Sequence, residues 1–242
     1  MVRIAWHGGA ACTLDIGGHE VLVDPVFARD GPWCNPHAPT AYEYMASHRP
    51  ERVVLTSGEP DHCDLDTLRA LMAIRPLELV CSPAVAAQLT MHGAVGPEHL
   101  TAVAPDTQRR LDHLRIDVFR SAPPSPDGAR GLGLLVQAGD ECVYVSGDTS
   151  VDSLPEAPSP VAVLCVGVSS GPDDPARAHT LMAEDVPAAV RRLHARALVP
   201  VEWDLPFFAD ALDVNDLRDR VAAEAPACAV ASPAYNTWTY IE

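Results

Sequence analysis

The chain opens on three short runs of alternating or clustered apolar residues, "VRIAW", "ACTLDI" and "HEVLVD", the first two closed by glycine pairs. Runs of this length punctuated by turn residues predict consecutive strands of an opening β-meander. A Pro- and Gly-rich stretch, "RDGPWCNPHAPT", interrupts the pattern before "AYEYMASH", a predicted short helix, and "RVVLT", a predicted buried strand. From Asp64 the period changes. In "DLDTLRALMAI" the apolar residues recur at helical spacing behind an acid able to accept the first free N–H groups. "LELVC" and "SPAVAAQLTMH" repeat the strand-to-helix step, with Ser82 as cap and Pro83 at the first helical position.

The middle of the chain returns to strands: "LTAVA", "LRIDVFR", "GLGLLVQA" and "ECVYVSGD". After them come the strand "PVAVLCVG", the helix "AEDVPAAVRRLHA", the strand "ALVPVEW", a helix around "VNDLRDRVAAEA" and a last strand near "NTWTYIE". Two blocks of strands, each followed by helices, predict one α/β domain over residues 1–242, built as two sheets covered by helices.

Composition narrows the functional classes. A chain of 242 residues can bury a substantial core. Its net charge of −16 argues against nucleic acid and anionic membranes as partners, because both need clustered cations. No segment reaches the roughly 18 apolar residues of a membrane span, and the N-terminus has no charged region followed by a long apolar core. A cytoplasmic protein is expected. Seven cysteines, Cys12, Cys34, Cys63, Cys81, Cys142, Cys165 and Cys228, stand singly without a C-x-x-C pair, which predicts mostly buried thiols and not a disulfide framework. Cys63 is read as a small buried hydrophobe.

Candidate chemistry gathers at strand ends. "RVVLT" runs into Glu59, Asp61 and His62, "ECVYVSG" into Asp148, and "ALVPV" into Glu202, with Asp204 a competing acid two residues on. Neighbouring strand ends converge on one cleft, and acids with an imidazole are suitable metal donors.

With these residues in view, the chain resembles the metallo-β-lactamase superfamily, in particular its compact ascorbate-phosphate-lactonase-like subgroup. The likeness covers nearly the whole chain: "VRIAWHGGAACTLDIGGHEVLVDPVF" resembles the family's meander ending in Asp-Pro, "SGDT" its second motif, and "LHARALVPVEW" the step delivering its last ligand. The resemblance implies an αββα sandwich of two mixed sheets. Laid on the family's H-x-H-x-D-H motif, Asp61 and His62 match, while Ser57 and Glu59 replace the first two histidines. Asp148 matches the bridging aspartate, and Glu202 stands in the place of the last histidine. A further histidine position falls at Arg120 or Ser121, and Gly9 replaces the histidine of an early Gly-His pair.

The resemblance therefore implies a degenerate centre. One of the two usual zinc sites loses most of its donors, and the other keeps Asp61, His62, Asp148 and Glu202, an oxygen-rich set that suits one manganese, iron or magnesium ion better than zinc. The expected activity is metal-dependent hydrolysis of an ester, lactone, amide or phosphoester in a small or medium molecule, with Glu59 accepting a proton and Arg120 steadying an oxyanion. Two alternatives stand beside it. One is a metal-free binding protein or non-hydrolytic enzyme. The other is an iron-dependent oxygenase, because S-x-E-x-D-H differs by one residue from the H-x-E-x-D-H of diiron relatives. A serine or cysteine hydrolase is disfavoured, since no G-x-S-x-G elbow occurs. His7 and His37 are candidate substrate contacts, Trp33 and Trp203 candidate walls of an apolar pocket, and His179 reads as a capping or solvent-facing residue. The acidic balance favours neutral or cationic substrates over polyphosphates unless Arg120 and His7 create a local positive site.

Overall fold

The computed structural model describes residues 1–30, 35–121, 131–155, 163–169, 181–204 and 213–241, with side-chain burial given for all of these but 163–169. Trp33, Cys34, His179, the Cys165 side chain and most of the proline-rich loop after Ser121 lie outside that description.

The first half is a meander followed by strand-helix steps: β1 (Val2–Gly8), β2 (Ala11–Ile16), β3 (His19–Val23), α1 (Ala41–Ser47), β4 (Arg52–Val54), α2 (Leu65–Ile74), β5 (Glu78–Cys81), α3 (Pro83–Met91) and β6 (Leu100–Ala102). The second half repeats the plan with β7 (Thr107–Leu111), β8 (Leu114–Arg120), β9 (Leu132–Ala138), β10 (Glu141–Val145), β11 (Val163–Ser169), β12 (Leu181–Met182), α4 (Val186–Arg192), β13 (Ala197–Val201), α5 (Val214–Glu224) and β14 (Ala229–Val230). The last strand, β15 (Trp238–Ile241), returns to the first sheet, pairing antiparallel with β1 in the register Ala5 to Trp238.

One sheet runs β15-β1-β2-β3-β4-β5-β6 and the other β14-β13-β11-β10-β9-β8-β7, with β12 beside β11. Each is antiparallel through its meander and parallel where helices intervene, as crossover connections require. The inner faces pack on each other. Val2, Ile4 and Trp6 of β1 meet Leu114, Ile116 and Val118 of β8 in one buried cluster, the alternate residues of each strand forming its core row. Outside, α1 to α3 close over the first sheet and α4 and α5 over the second. The layers are helix, sheet, sheet, helix, as expected.

Local signals set most boundaries. Thr40 and Glu43 form a reciprocal cap on α1, Asp64 accepts the Asp66 and Thr67 N–H groups of α2, and Ser82 caps α3 ahead of Pro83. Periodicity missed three strands. "TQRRL" of β7 is a polar edge strand with no buried residue to mark it, while β12 and β14 have two residues each and exist only through their partners. The five described cysteines of known burial are buried thiols. Among the described residues no helix is long and apolar enough to cross a membrane.

Candidate metal centre

The C-terminal ends of β4, β10 and β13 meet at one end of the sandwich, where backbone contacts stitch the sheets together. Leu132 at the start of β9 donates its N–H to Thr56 O at 2.8 Å, and the Glu202 N–H donates to Gly9 O at 2.9 Å. Gly147 makes this closure possible. Its φ is +55°, and a Cβ there would lie 2.9 Å from both Leu132 O and the Thr56 side chain, so the "SGD" turn needs both the left-handed backbone and the missing methyl.

His62 sits at the centre of the cleft and is fully buried. The turn that delivers it is held by Glu59 O, which accepts the His62 and Cys63 N–H groups at 3.0 and 2.8 Å, and by Ser57 Oγ, which accepts the Glu59 N–H at 3.2 Å. One face of the ring is anchored: Nδ1 lies 3.0 Å from Asp24 Oδ2 and 3.2 Å from Thr56 Oγ1. Asp24 is itself buried and accepts from the Thr56 N–H at 2.7 Å and the Thr56 hydroxyl at 2.5 Å. Having accepted from Thr56 on both oxygens, Asp24 is the acceptor toward the ring as well and holds the imidazole proton on Nδ1.

The other face is open. Among the described residues His62 Nε2 has no hydrogen-bond partner, although Asp148 Oδ1 and Glu202 Oε1 stand 3.5 and 3.6 Å away. One donor atom from each of the three residues lies within 4.8 Å of the others. A buried nitrogen without a partner is costly, and donors about 2.0–2.2 Å from a shared ion would stand at separations of this order. The donor set fits a divalent cation on geometry and on chemistry.

The electrostatics agree. Burial alone would depress the His62 imidazole, yet the Asp148 and Glu202 carboxylates that face Nε2 and the bond to Asp24 raise it well above its ordinary value. Burial pushes the Glu202 carboxyl up to about 8 against the pull of His62, with the charges of Asp148, Asp61 and Asp24 adding to the rise. Two acids crowded on one buried imidazole make a site that draws positive charge.

The backbone is unusual at the same places. Asp24 and Glu202 both hold positive φ, +42° and +67°, a conformation rare outside glycine and held here by the surrounding hydrogen bonds.

Of the acids and histidine expected at the centre, His62, Asp148 and Glu202 come together. Asp61 is half-buried on the same turn and remains outside that group, acting on Glu202 through its charge. Glu59 is half-buried on the turn. Asp204 turns away: it accepts the Gly9 N–H and the Tyr235 hydroxyl, each at 3.0 Å. Ser121 is buried and donates to the carbonyl oxygens of Ser146 and Asp148, whereas Arg120 is exposed. Trp203 stacks on Trp6 with ring centroids 5.2 Å apart. His7 and His37 lie elsewhere. Both line a hollow of about 340 Å³ with Tyr44, His48 and Asn236, and none of the His62 group lines it. His7 points to the helix-covered side of β1, and His37 stacks on Tyr235 at 3.9 Å.

Two residues escaped the sequence reading. Asp24 and Thr56 orient His62, and the available signal was an acid closing the buried run "VLVD" just before a proline. A strand-end acid is an ordinary loop residue until its partner across the sheet is known.

The family model described as beta-lactamase superfamily domain matches residues 19–203. The chain is 31% identical to a metal-dependent hydrolase of Xanthobacter autotrophicus over 63% of this chain and 64% of that protein, so the match spans under two thirds of that relative. Its fold is similar to that of a metallo hydrolase from Ignicoccus hospitalis, with a TM-score of 0.77 at 20% identity over 100% and 99% of the two chains. It is also similar to CmlA, a diiron β-hydroxylase from Streptomyces venezuelae, with a TM-score of 0.71 at 15% identity over 99% of this chain and 54% of that one.

Proposed function

The chain belongs to the metallo-β-lactamase superfamily, and on that premise we propose that it is a hydrolase of a small or medium molecule that works with a single divalent ion held by His62, Asp148 and Glu202. The observation that carries this reading is the buried, unpartnered His62 Nε2 facing two carboxylates. Three donors with two oxygens favour manganese or iron over zinc.

When bound, such an ion supplies Lewis acidity toward water and toward a carbonyl or phosphoryl oxygen. The chain's own groups do the rest. Asp24 keeps one His62 proton on Nδ1, so Nε2 is the nitrogen that faces the cleft and would give up its proton when a cation binds. Asp61 adds negative charge at the edge of the site, and its role is as an outer acid more than as a direct ligand. Glu59, half-buried on the same turn, is the proposed acceptor of the proton released during hydrolysis. Trp203 provides an apolar wall next to Glu202. Esters, lactones, amides and phosphoesters all fit this chemistry.

The oxygen-rich donor set also supports a second reading, iron-dependent oxygenation. One experiment separates them. Protein purified without chelator is loaded separately with Mn²⁺, Fe²⁺ and Zn²⁺, its metal content is measured by plasma mass spectrometry, and ester hydrolysis and oxygen uptake are followed. Hydrolysis with about one retained Mn²⁺ or Fe²⁺ per chain is the expected result. Oxygen consumption without hydrolysis would transfer the site to the oxygenase reading, and no retained ion under any loading would remove the metal altogether.

A further inference from the structure

We infer that Arg120 selects the substrate: it recognises a carboxylate carried several bonds away from the bond that is cleaved, making the preferred substrate a monoanionic ester, lactone or amide. This rests on the hydrolase reading above.

Arg120 ends β8 in the row of Leu114, Ile116 and Val118, whose side chains fill the space between the sheets. Its cross-strand partner Leu132 belongs to the same inner cluster, and directly paired residues share a face. Arg120 therefore continues the inner row past the end of the core, at the level where its strand partner Leu132 meets Thr56. The attachment to the centre is short. Leu132 donates to Thr56 O, Thr56 touches His62, and the next residue, Ser121, is bonded to Asp148 O.

The chain contains no lysine, so arginine is its only strong cation. Many of these arginines are committed: Arg3 to Asp15, Arg52 to Glu78 and Asp112, Arg69 to Asp66, Arg115 to Asp117, and Arg191 to Glu224. Arg120 is exposed, and no hydrogen bond or ion pair engages its guanidinium among the described residues.

The chemistry follows from both. A guanidinium presents paired N–H donors that match a carboxylate fork-to-fork. Because it is exposed at the rim, water screens it, and it is badly suited to the oxyanion role expected from sequence, which depends on a water-excluded site. A single guanidinium suits a monoanion. A phosphate dianion carries a second charge that this guanidinium does not offset against the field of Asp148, Glu202 and Asp61.

The test compares two esters of equal acyl length, mono-p-nitrophenyl glutarate and p-nitrophenyl valerate, on the Mn²⁺-loaded full chain and its Arg120→Gln and Arg120→Lys variants. The wild-type chain is expected to prefer the glutarate ester. In Arg120→Gln that preference, as a ratio of kcat/KM values, should fall about tenfold or more, through KM, with Arg120→Lys in between. An absent wild-type preference, an unchanged ratio, or an equal fall in kcat for both esters would overturn the assignment. If neither ester is hydrolysed, the hydrolase reading fails by itself. Calorimetric titration with glutarate then decides: binding lost in Arg120→Gln upholds the carboxylate site, and equal binding or none by either protein refutes it.

Discussion

Two imidazoles are completely buried among the described residues, and they behave in opposite ways. His7 has both ring nitrogens satisfied, Nδ1 by Asn236 at 2.8 Å and Nε2 by Thr13 at 2.9 Å, and Thr13 passes the network on to the Tyr44 hydroxyl. Burial lowers it to about 4, so it is neutral and structural. His62 has one nitrogen anchored by Asp24 and the other facing two acids without a bond, and it is held well above its ordinary value despite burial. Burial therefore does not mark a site. What separates the two rings is an unfilled valence in a field of opposite charge.

The largest test of this contrast removes the field. Asp148→Ala takes one of the two acids facing Nε2, and bound metal should fall from about one ion per chain to a trace, with hydrolysis lost and the circular dichroism spectrum kept. Retained metal would take Asp148 out of the centre.

The next test addresses His7. Its folded pKa of about 4 lies below the ordinary 6.5, so between those values the unfolded chain binds the extra proton. The associated stability is complete above pH 6.5 and is lost as pH falls toward 4, by about 3 kcal/mol in all. Urea unfolding at a series of pH values, with His7→Gln as reference, should show the wild type losing stability faster on acidification. Parallel profiles would mean that His7 is not the neutral, buried group described.

A smaller effect is expected at Asp24. Asp24→Asn leaves the three donors in place but loosens the ring that carries one of them, and Mn²⁺ affinity should drop roughly 10–100-fold. An unchanged titration would show that Thr56 alone orients the ring.

The smallest effect concerns an orphan that faces no charge. The Tyr144 hydroxyl is buried, with no partner among the described residues, in the core between the second sheet and its helices, where burial pushes the phenol far up. Tyr144→Phe should stabilise the chain by about 1 kcal/mol and leave metal binding alone. Destabilisation would reveal a bond to that hydroxyl. The contrast with His62 Nε2 would then rest on field alone and not on missing partners.

The order of elements was legible in the sequence because local chemistry produces it. Apolar alternation marked β1, β8 and β9, and Asp64, Ser82 and Pro83 marked the helix starts, each through bonds within a few residues. The candidate donors His62, Asp148 and Glu202 were legible too, because each stands in the segment that an apolar strand runs into. Three further matters were decided by the tertiary structure. It separated Glu202 from Asp204, two acids in one short turn whose surroundings come from Gly9, Tyr235 and His62, far away in sequence. It moved His7 and His37 to another hollow, since a residue's face on a strand follows from pairing register, which apolar counting leaves open at strand ends. It also gave Asp24 its part, 38 residues before His62 in the chain and 3.0 Å from it in space. Sequence alone determined which segments fold and what chemistry they carry, through short-range forces; which of those groups face one another depended on how two sheets close, a sum of many distant contacts that no single stretch encodes.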